Sequence, residues 1–255
     1  MITIDSTIRE LLQYVQAYQP IQVDAFYKPG WWVQLSEADQ LNYIRDLDLL
    51  DVDLQGRSFM DIGCAEGYVC FYAEQKGARL VVACDGHGWK YGTTAANPWP
   101  TTNPQNMMLV FELLRLLKRS SAVRLVQDVE SPDFVDSVRR IGTGKIDIVN
   151  CAGVLYHNYN PVAAMRNIFE VTGERAIFSI PDFRDLQKDG RAFTPFHNRL
   201  EANDFNYDAV LRYGQANHRI WNLAPEEWAS MLRFAGFRTV DTHSRGLVTA
   251  FQCTV

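Results

Sequence analysis

The stretch Phe59-Met60-Asp61-Ile62-Gly63-Cys64-Ala65-Glu66-Gly67-Tyr68 decides the fold. Its apolar start reads as a strand, Gly63 to Gly67 as a tight turn, and Tyr68 as the beginning of a helix. Glycine in such a turn permits positive φ and lets a ligand approach the backbone closely. Downstream, Arg79-Leu80-Val81-Val82-Ala83-Cys84-Asp85 is a second strand ending in a carboxylate. Strand, glycine turn, helix, strand and acid together make a nucleotide-binding half-fold. A dinucleotide site would carry G-x-G-x-x-G, with backbone N–H groups holding a pyrophosphate. Here Gly63 is followed by Cys64 and Ala65, so that pattern is broken, and the motif is D-x-G-x-x-x-G led by Asp61. A carboxylate beside the turn suits a cationic ligand better than a pyrophosphate.

Outward from this unit, strands and helices alternate. A third strand is expected over Val123 to Val129, a short helix over Ser131 to Arg140, and a fourth strand over Lys145 to Ala152. A helix over Pro161 to Val171 and a fifth strand over Arg175 to Ile180 follow. A helix opening at Ala224-Pro225-Glu226-Glu227 stops at Gly236. Phe237 to Thr242 and Leu247 to Val255 have no helix between them and should pair as an antiparallel hairpin at the sheet edge. The pattern specifies an α/β protein with a doubly wound, mostly parallel seven-stranded sheet, Rossmann-like, ending in that hairpin. Upstream, Ser6 to Tyr18 has helical apolar spacing. Ser36-Glu37-Ala38-Asp39 reads as a capping box opening a helix through Leu50. Between them, Ile21 to Gln34 is rich in aromatics, including Trp31 and Trp32, and reads as a packed connector or as a cap over the ligand cleft.

The chain has 255 residues, enough for one large domain with insertions, and 47% hydrophobic against 22% charged residues is ordinary for a globular protein. A net charge of −5 without a Lys/Arg-rich block argues against a nucleic-acid partner. The five cysteines, Cys64, Cys70, Cys84, Cys151 and Cys253, include no C-x-x-C pair and read as small buried hydrophobes in a reducing compartment. No basic leader precedes a long apolar run, so a cytoplasmic protein without a membrane segment is expected. No group of acids and histidines has metal-ligand spacing, and no metal is expected.

The D-x-G-x-x-x-G turn resembles the first motif of the class I S-adenosylmethionine-dependent methyltransferases. The fourth strand strengthens the likeness. Asp147-Ile148-Val149-Asn150-Cys151-Ala152-Gly153-Val154-Leu155-Tyr156-His157, followed by Asn160-Pro161, looks like the signature of a subgroup. That subgroup holds the tRNA wobble-uridine methyl and carboxymethyl transferases and related small-molecule methyltransferases. The likeness runs from about Gly56 to Val255 and is thinnest over His87 to Ser121 and Pro181 to Leu223.

The resemblance implies S-adenosyl-L-methionine as cofactor. It places Asp61, Gly63, Cys64, Ala65 and Gly67 around the cofactor's amino-acid end, Asp85 and Gly86 at the ribose, Asp128 and Val129 at the adenine, and Cys151 at the end of the fourth strand. It implies two regions: a helical and aromatic cap over residues 1–55, and a cofactor-binding domain over 56–255 with insertions at 86–121 and 181–223. The expected reaction is methyl transfer to an oxygen or nitrogen of a small-molecule substrate. Rivals are wobble-uridine modification in tRNA, a non-catalytic cofactor-binding protein, and a nicotinamide oxidoreductase, the last disfavoured by the broken glycine pattern.

An acceptor that must lose a proton needs a base near neutrality. His157, just past the fourth strand, is the candidate, with a plain loop hydrogen bond as the competing role. His87 could line the ribose or adenine side, His197 and His218 are weaker candidates, and His243 is expected to be structural. Trp31, Trp32, Trp89, Trp99, Tyr156 and Trp221 are candidate cleft walls, some of them simply core. Neither the acceptor nor the oligomeric state follows from the sequence.

Overall fold

The computed structural model describes residues 4–15, 17, 19–24, 26–28, 40–86, 89, 104–181, 221, 223–245 and 248–255. Trp31, Trp32, His87, Trp99, His197, His218 and the Ser36 capping box lie outside the described residues, as does nearly all of the 181–223 insertion.

Seven strands form one sheet: β3 (Ser58–Ile62), β4 (Leu80–Cys84), β5 (Val123–Leu125), β6 (Ile146–Ala152), β7 (Thr172–Pro181), β8 (Thr239–Arg245) and β9 (Val248–Thr254). Their order is β5-β4-β3-β6-β7-β9-β8. Pairs from β5 to β7 are parallel, while β9 runs antiparallel to both β7 and β8. The expected hairpin is present, with the last strand inserted between its partner and β7. From β3 the chain winds outward through β4 and β5, then returns to β6 and winds the other way. The reversal lies between β3 and β6, the kind of position at which open α/β sheets bind their ligands.

Helices cover both faces. On one face α5 (Phe134–Val138), α6 (Pro161–Val171) and α7 (Pro225–Ala235) bury Phe134, Met165, Ile168, Trp228 and Leu232 against Met60, Val82, Val149 and Phe178. On the other, α1 (Ile4–Tyr14), α2 (Gln40–Asp46), α3 (Tyr68–Gln75) and α4 (Pro104–Leu117) cover Phe59, Val81, Ile148 and Ile177. Leu12, Ile21, Ile44 and Leu49 belong to this second core, so much of the N-terminal segment is built into the sheet's packing. Within that segment Ile21–Val23 (β1) and Phe26–Lys28 (β2) pair as a small antiparallel hairpin, where only an aromatic connector was expected.

Three boundaries differ from the sequence reading. β5 ends at Leu125 rather than Val129; it is an edge strand paired only to β4, and Gln127 to Val129 leave the ladder. The helix expected over Ser131 to Arg140 is α-helical only over Phe134–Val138, then widens through Arg139–Thr143 to Gly142 at φ +96°. The helix expected to reach Leu50 ends at Asp46, and Asp48 then adopts φ +60°. That bend lets Asp48 accept from His243 Nδ1 at 2.6 Å and from Gln252 Nε2 at 2.7 Å, tying α2 to the sheet's far edge. The structural role expected for His243 is this contact. All five cysteines are buried and unpaired, and no described helix is long and apolar enough to cross a membrane.

Candidate functional site

The turn after β3 is stitched to the end of β4. Gly63 and Cys64 both donate their N–H groups to the Cys84 carbonyl, at 2.8 and 3.2 Å. Ala65 donates its N–H to Asp85 Oδ2 at 3.2 Å, and Gly67 closes the turn onto the Cys64 carbonyl at 2.8 Å. Gly63, Ala65 and Gly67 all take positive φ, at +77°, +49° and +87°. Gly67 then starts α3 as its N-cap. A Cβ at Gly63 would overlap Val154 of the turn after β6, and one at Gly67 would strike Phe111 of α4 at 2.6 Å. Both glycines are therefore needed for close approach as well as for conformation.

The next two strand ends meet the same way. A Cβ at Gly86, past β4, would come within 2.5 Å of the Asp128 backbone nitrogen, so the loops carrying Asp85 and Asp128 touch. Asp85 also donates its own N–H to the Leu125 carbonyl at 3.1 Å. Asp61, Asp85 and Asp128 thus stand at three adjacent strand ends on one rim of the sheet. The loops carrying Asp85 and Asp128 bring two carboxyl groups together on this rim, an arrangement that favours a cation.

Asp61 is 3% exposed, and Asn150 of β6 donates Nδ2–H to its Oδ1 at 2.7 Å. The two residues are register partners on neighbouring parallel strands. Burial pushes the Asp61 carboxyl up to about 7; the Asn150 hydrogen bond opposes that rise, the Asp85 charge adds to it, and the nearby Cys70 thiol opposes it. Burial also pushes the Cys64, Cys84 and Cys151 thiols up, so these sulfurs stay protonated and inert. The Cys151 and Val129 side chains pack in the core below the rim. The Val129 carbonyl accepts from Asn167 Nδ2 at 2.7 Å.

His157 ends the short 3-10 turn Leu155–His157 after β6 and is exposed, its ring 4.1 Å from that of Tyr156. Of the proposed cleft walls, Trp89 is instead a core residue at 4% exposure. It donates Nε1–H to the Ala65 carbonyl at 3.0 Å and packs on Phe111, bracing the turn from behind. Trp221 donates Nε1–H to the Asn158 carbonyl at 2.8 Å and its backbone N–H to the Tyr156 carbonyl at 2.9 Å, pinning the end of the long insertion beside His157.

Two polar groups of this site lie in stretches that the sequence singled out, but their partners were not legible there. Glu66, in the turn, is 1% exposed and accepts the Gln19 N–H at 3.1 Å, while Gln19 Oε1 accepts the Tyr68 N–H at 3.1 Å. The second is Asn150. Its signal was present: an amide near the end of the otherwise apolar run Ile148-Val149-Asn150-Cys151-Ala152.

No family model matches the chain. Over 118 residues, 46% of this chain and 33% of the other, it is 30% identical to a tRNA U34 carboxymethyltransferase of Campylobacter hominis. The chain thus spans about a third of the length of the first curated relatives it matches. It is 23% identical over 222 residues to a ubiquinone biosynthesis O-methyltransferase of Neisseria meningitidis serogroup C, covering 83% of this chain and 78% of that one. Among solved structures it is similar to magnesium protoporphyrin IX methyltransferase (ChlM) from Synechocystis PCC 6803 with bound SAH. The TM-score is 0.51 at 15% identity, over 87% of this chain and 88% of that one. The fold is that of the class I S-adenosylmethionine-dependent methyltransferases. In a methyltransferase fold, the Gly63–Gly67 turn and the Asp85 and Asp128 strand ends occupy the rim where the strand order reverses.

Proposed function

We propose that the chain binds S-adenosyl-L-methionine on this rim and transfers its methyl group to an oxygen or nitrogen of a small-molecule substrate. The observation that carries the reading is the Asp85 carboxylate holding the positive-φ turn through the Ala65 N–H, with Asp61 behind it and the Gly86–Asp128 contact beside it. The donor set fits the group: acids for a cation and for hydroxyls, and a turn whose glycines let a ligand lie against backbone. Bound there, S-adenosylmethionine supplies a methyl group activated by a sulfonium.

The chain's own part is to orient and to manage a proton. Asp61 and the turn hold the amino-acid end, Asp85 and Gly86 the ribose, and Asp128 with the Val129 backbone the adenine. Holding donor and acceptor in line is the larger part of such catalysis, because the displacement needs geometry more than charge. His157, exposed just past β6, takes the proton that a hydroxyl or ammonium acceptor gives up. Trp221 supports the backbone on either side of His157 through the Tyr156 and Asn158 carbonyls.

One observation favours a second reading, wobble-uridine modification in tRNA: the 118-residue likeness to a tRNA U34 carboxymethyltransferase. The net charge of −5 weighs against it. The longer likeness, over 222 residues, is to an O-methyltransferase named for ubiquinone biosynthesis.

The first test is a thermal shift. S-Adenosylhomocysteine should raise the melting temperature and NADH should leave it unchanged; a rise with NADH alone would overturn the reading. Screening metabolites with radiolabelled methyl donor then identifies the acceptor. Binding to tRNA with a steep salt dependence, accompanied by transfer to the nucleic acid, would establish the second reading instead.

A further inference from the structure

Asn150 is fully buried, and its amide is half used. Nδ2 donates to Asp61 Oδ1 at 2.7 Å, while no donor among the described residues reaches Oδ1. A buried acceptor left unpaired is destabilising. A strand position between Val149 and Cys151 would pack as well or better with leucine or valine, which carry no such cost. Its Nδ2 is explained by the buried Asp61 carboxyl that it satisfies, whereas the unpaired Oδ1 is not explained by the stability of the sheet. Its place is specific: β6 and β3 are the two strands between which the order reverses, and Asn150 and Asp61 are partners in register there.

We propose that Asn150 is a positioning residue of the ligand site: its Nδ2 fixes the Asp61 carboxylate toward the ligand's ammonium, and its unpaired Oδ1 offers that ammonium a second acceptor. The ligand class is an amino acid carried on a nucleoside thioether, and the inference rests on the cofactor reading above. An ammonium is donor-only and needs several acceptors when it leaves water. One carboxylate and one amide oxygen on adjacent strands supply two without adding a second charge beside Asp85.

The test separates the amino-acid end from the rest of the ligand. Binding of S-adenosylhomocysteine and of 5′-methylthioadenosine, which lacks the α-ammonium and α-carboxylate, is measured by calorimetry for the native chain and for Asn150→Leu. The expected result is a loss of about tenfold or more for S-adenosylhomocysteine in the variant, the size of a hydrogen bond to a charged group. The affinity for 5′-methylthioadenosine should change by less than about twofold. Asn150→Ala, with the melting temperature recorded for each variant, should give the same split if the leucine crowds the strand. Equal losses for both ligands, or no loss for either, overturn the assignment while leaving the cofactor reading intact. A native chain that binds neither ligand overturns the cofactor reading, and this inference with it.

Discussion

The Asp85 carboxylate accepts the N–H of Ala65, so the end of β4 holds the middle of the turn that follows β3. Ala65 sits there at φ +49°, between two glycines that also take positive φ. For a residue with a Cβ this left-handed conformation costs about 1–2 kcal/mol, and the strain is held by the flanking bonds to Cys84 and Asp85.

Ala65→Gly should remove that strain. The gain is reduced by the greater freedom of glycine in the unfolded chain, leaving a net stabilisation of about 0.5–1 kcal/mol. Urea unfolding should show a higher midpoint with an unchanged slope. A lower midpoint would mean that the Ala65 side chain, 6% exposed, contributes packing that outweighs its backbone cost.

Gly86→Ala should be severe. Its methyl would press on the Asp128 backbone, which cannot rotate away as a side-chain tip would. We expect a loss of about 1–3 kcal/mol of stability from overpacking. S-Adenosylhomocysteine affinity should fall by more than the melting temperature alone accounts for, because two of the acid-bearing loops are driven apart. Crystallography of the variant would show the separation directly.

Asp61 gives the stability a pH dependence with a definite sign. The carboxyl has an ordinary value of 3.8 and is raised to about 7 in the folded chain. Asn150 faces it from β6, Cys70 from α3, Tyr43 from α2 and Asp85 from the end of β4, with Cys64, Cys84 and Cys151 nearby. Between pH 4 and 7 the native state keeps a proton that the unfolded state has released. Stability from this group is therefore present at the acid end and lost as pH rises toward 7, by on the order of a few kcal/mol. Asp61→Asn should flatten that slope in the ligand-free protein. Parallel curves for variant and native chain would show that Asp61 does not titrate there.

His157→Ala should leave S-adenosylhomocysteine binding within about twofold. It should lower methyl transfer by about 10²–10⁴-fold, the usual contribution of a positioned base. Loss of binding together with rate would assign the residue to holding the cleft rather than to moving the proton.

Leu12→Ala addresses the N-terminal segment. Leu12 is fully buried in the same core as Phe59 and Val81. Its truncation should cost about 2–5 kcal/mol in a single cooperative transition. A separate early transition would show that α1 unfolds independently of the sheet.

The alternation of strand and helix, the glycine turn, the acids near the ends of the first three core strands and the terminal hairpin were all legible in the chain as written. Each of these is a local consequence of apolar period, turn chemistry or missing helix between strands, and is readable within about ten residues.

Which polar groups meet emerges from folding. Asn150 and Asp61 are 89 residues apart and become partners through the parallel register of β6 on β3. Glu66 reads as an ordinary turn acid until Gln19, 47 residues earlier, is brought against it and buries it. Trp89 reads as a cleft wall until packing turns it inward on Phe111 and the Ala65 carbonyl. The physical reason is common to all three. Backbone conformation is set by neighbours in the chain, whereas the partner of a buried polar group is set by which surfaces the hydrophobic core forces together, and that is a property of the assembled sheet.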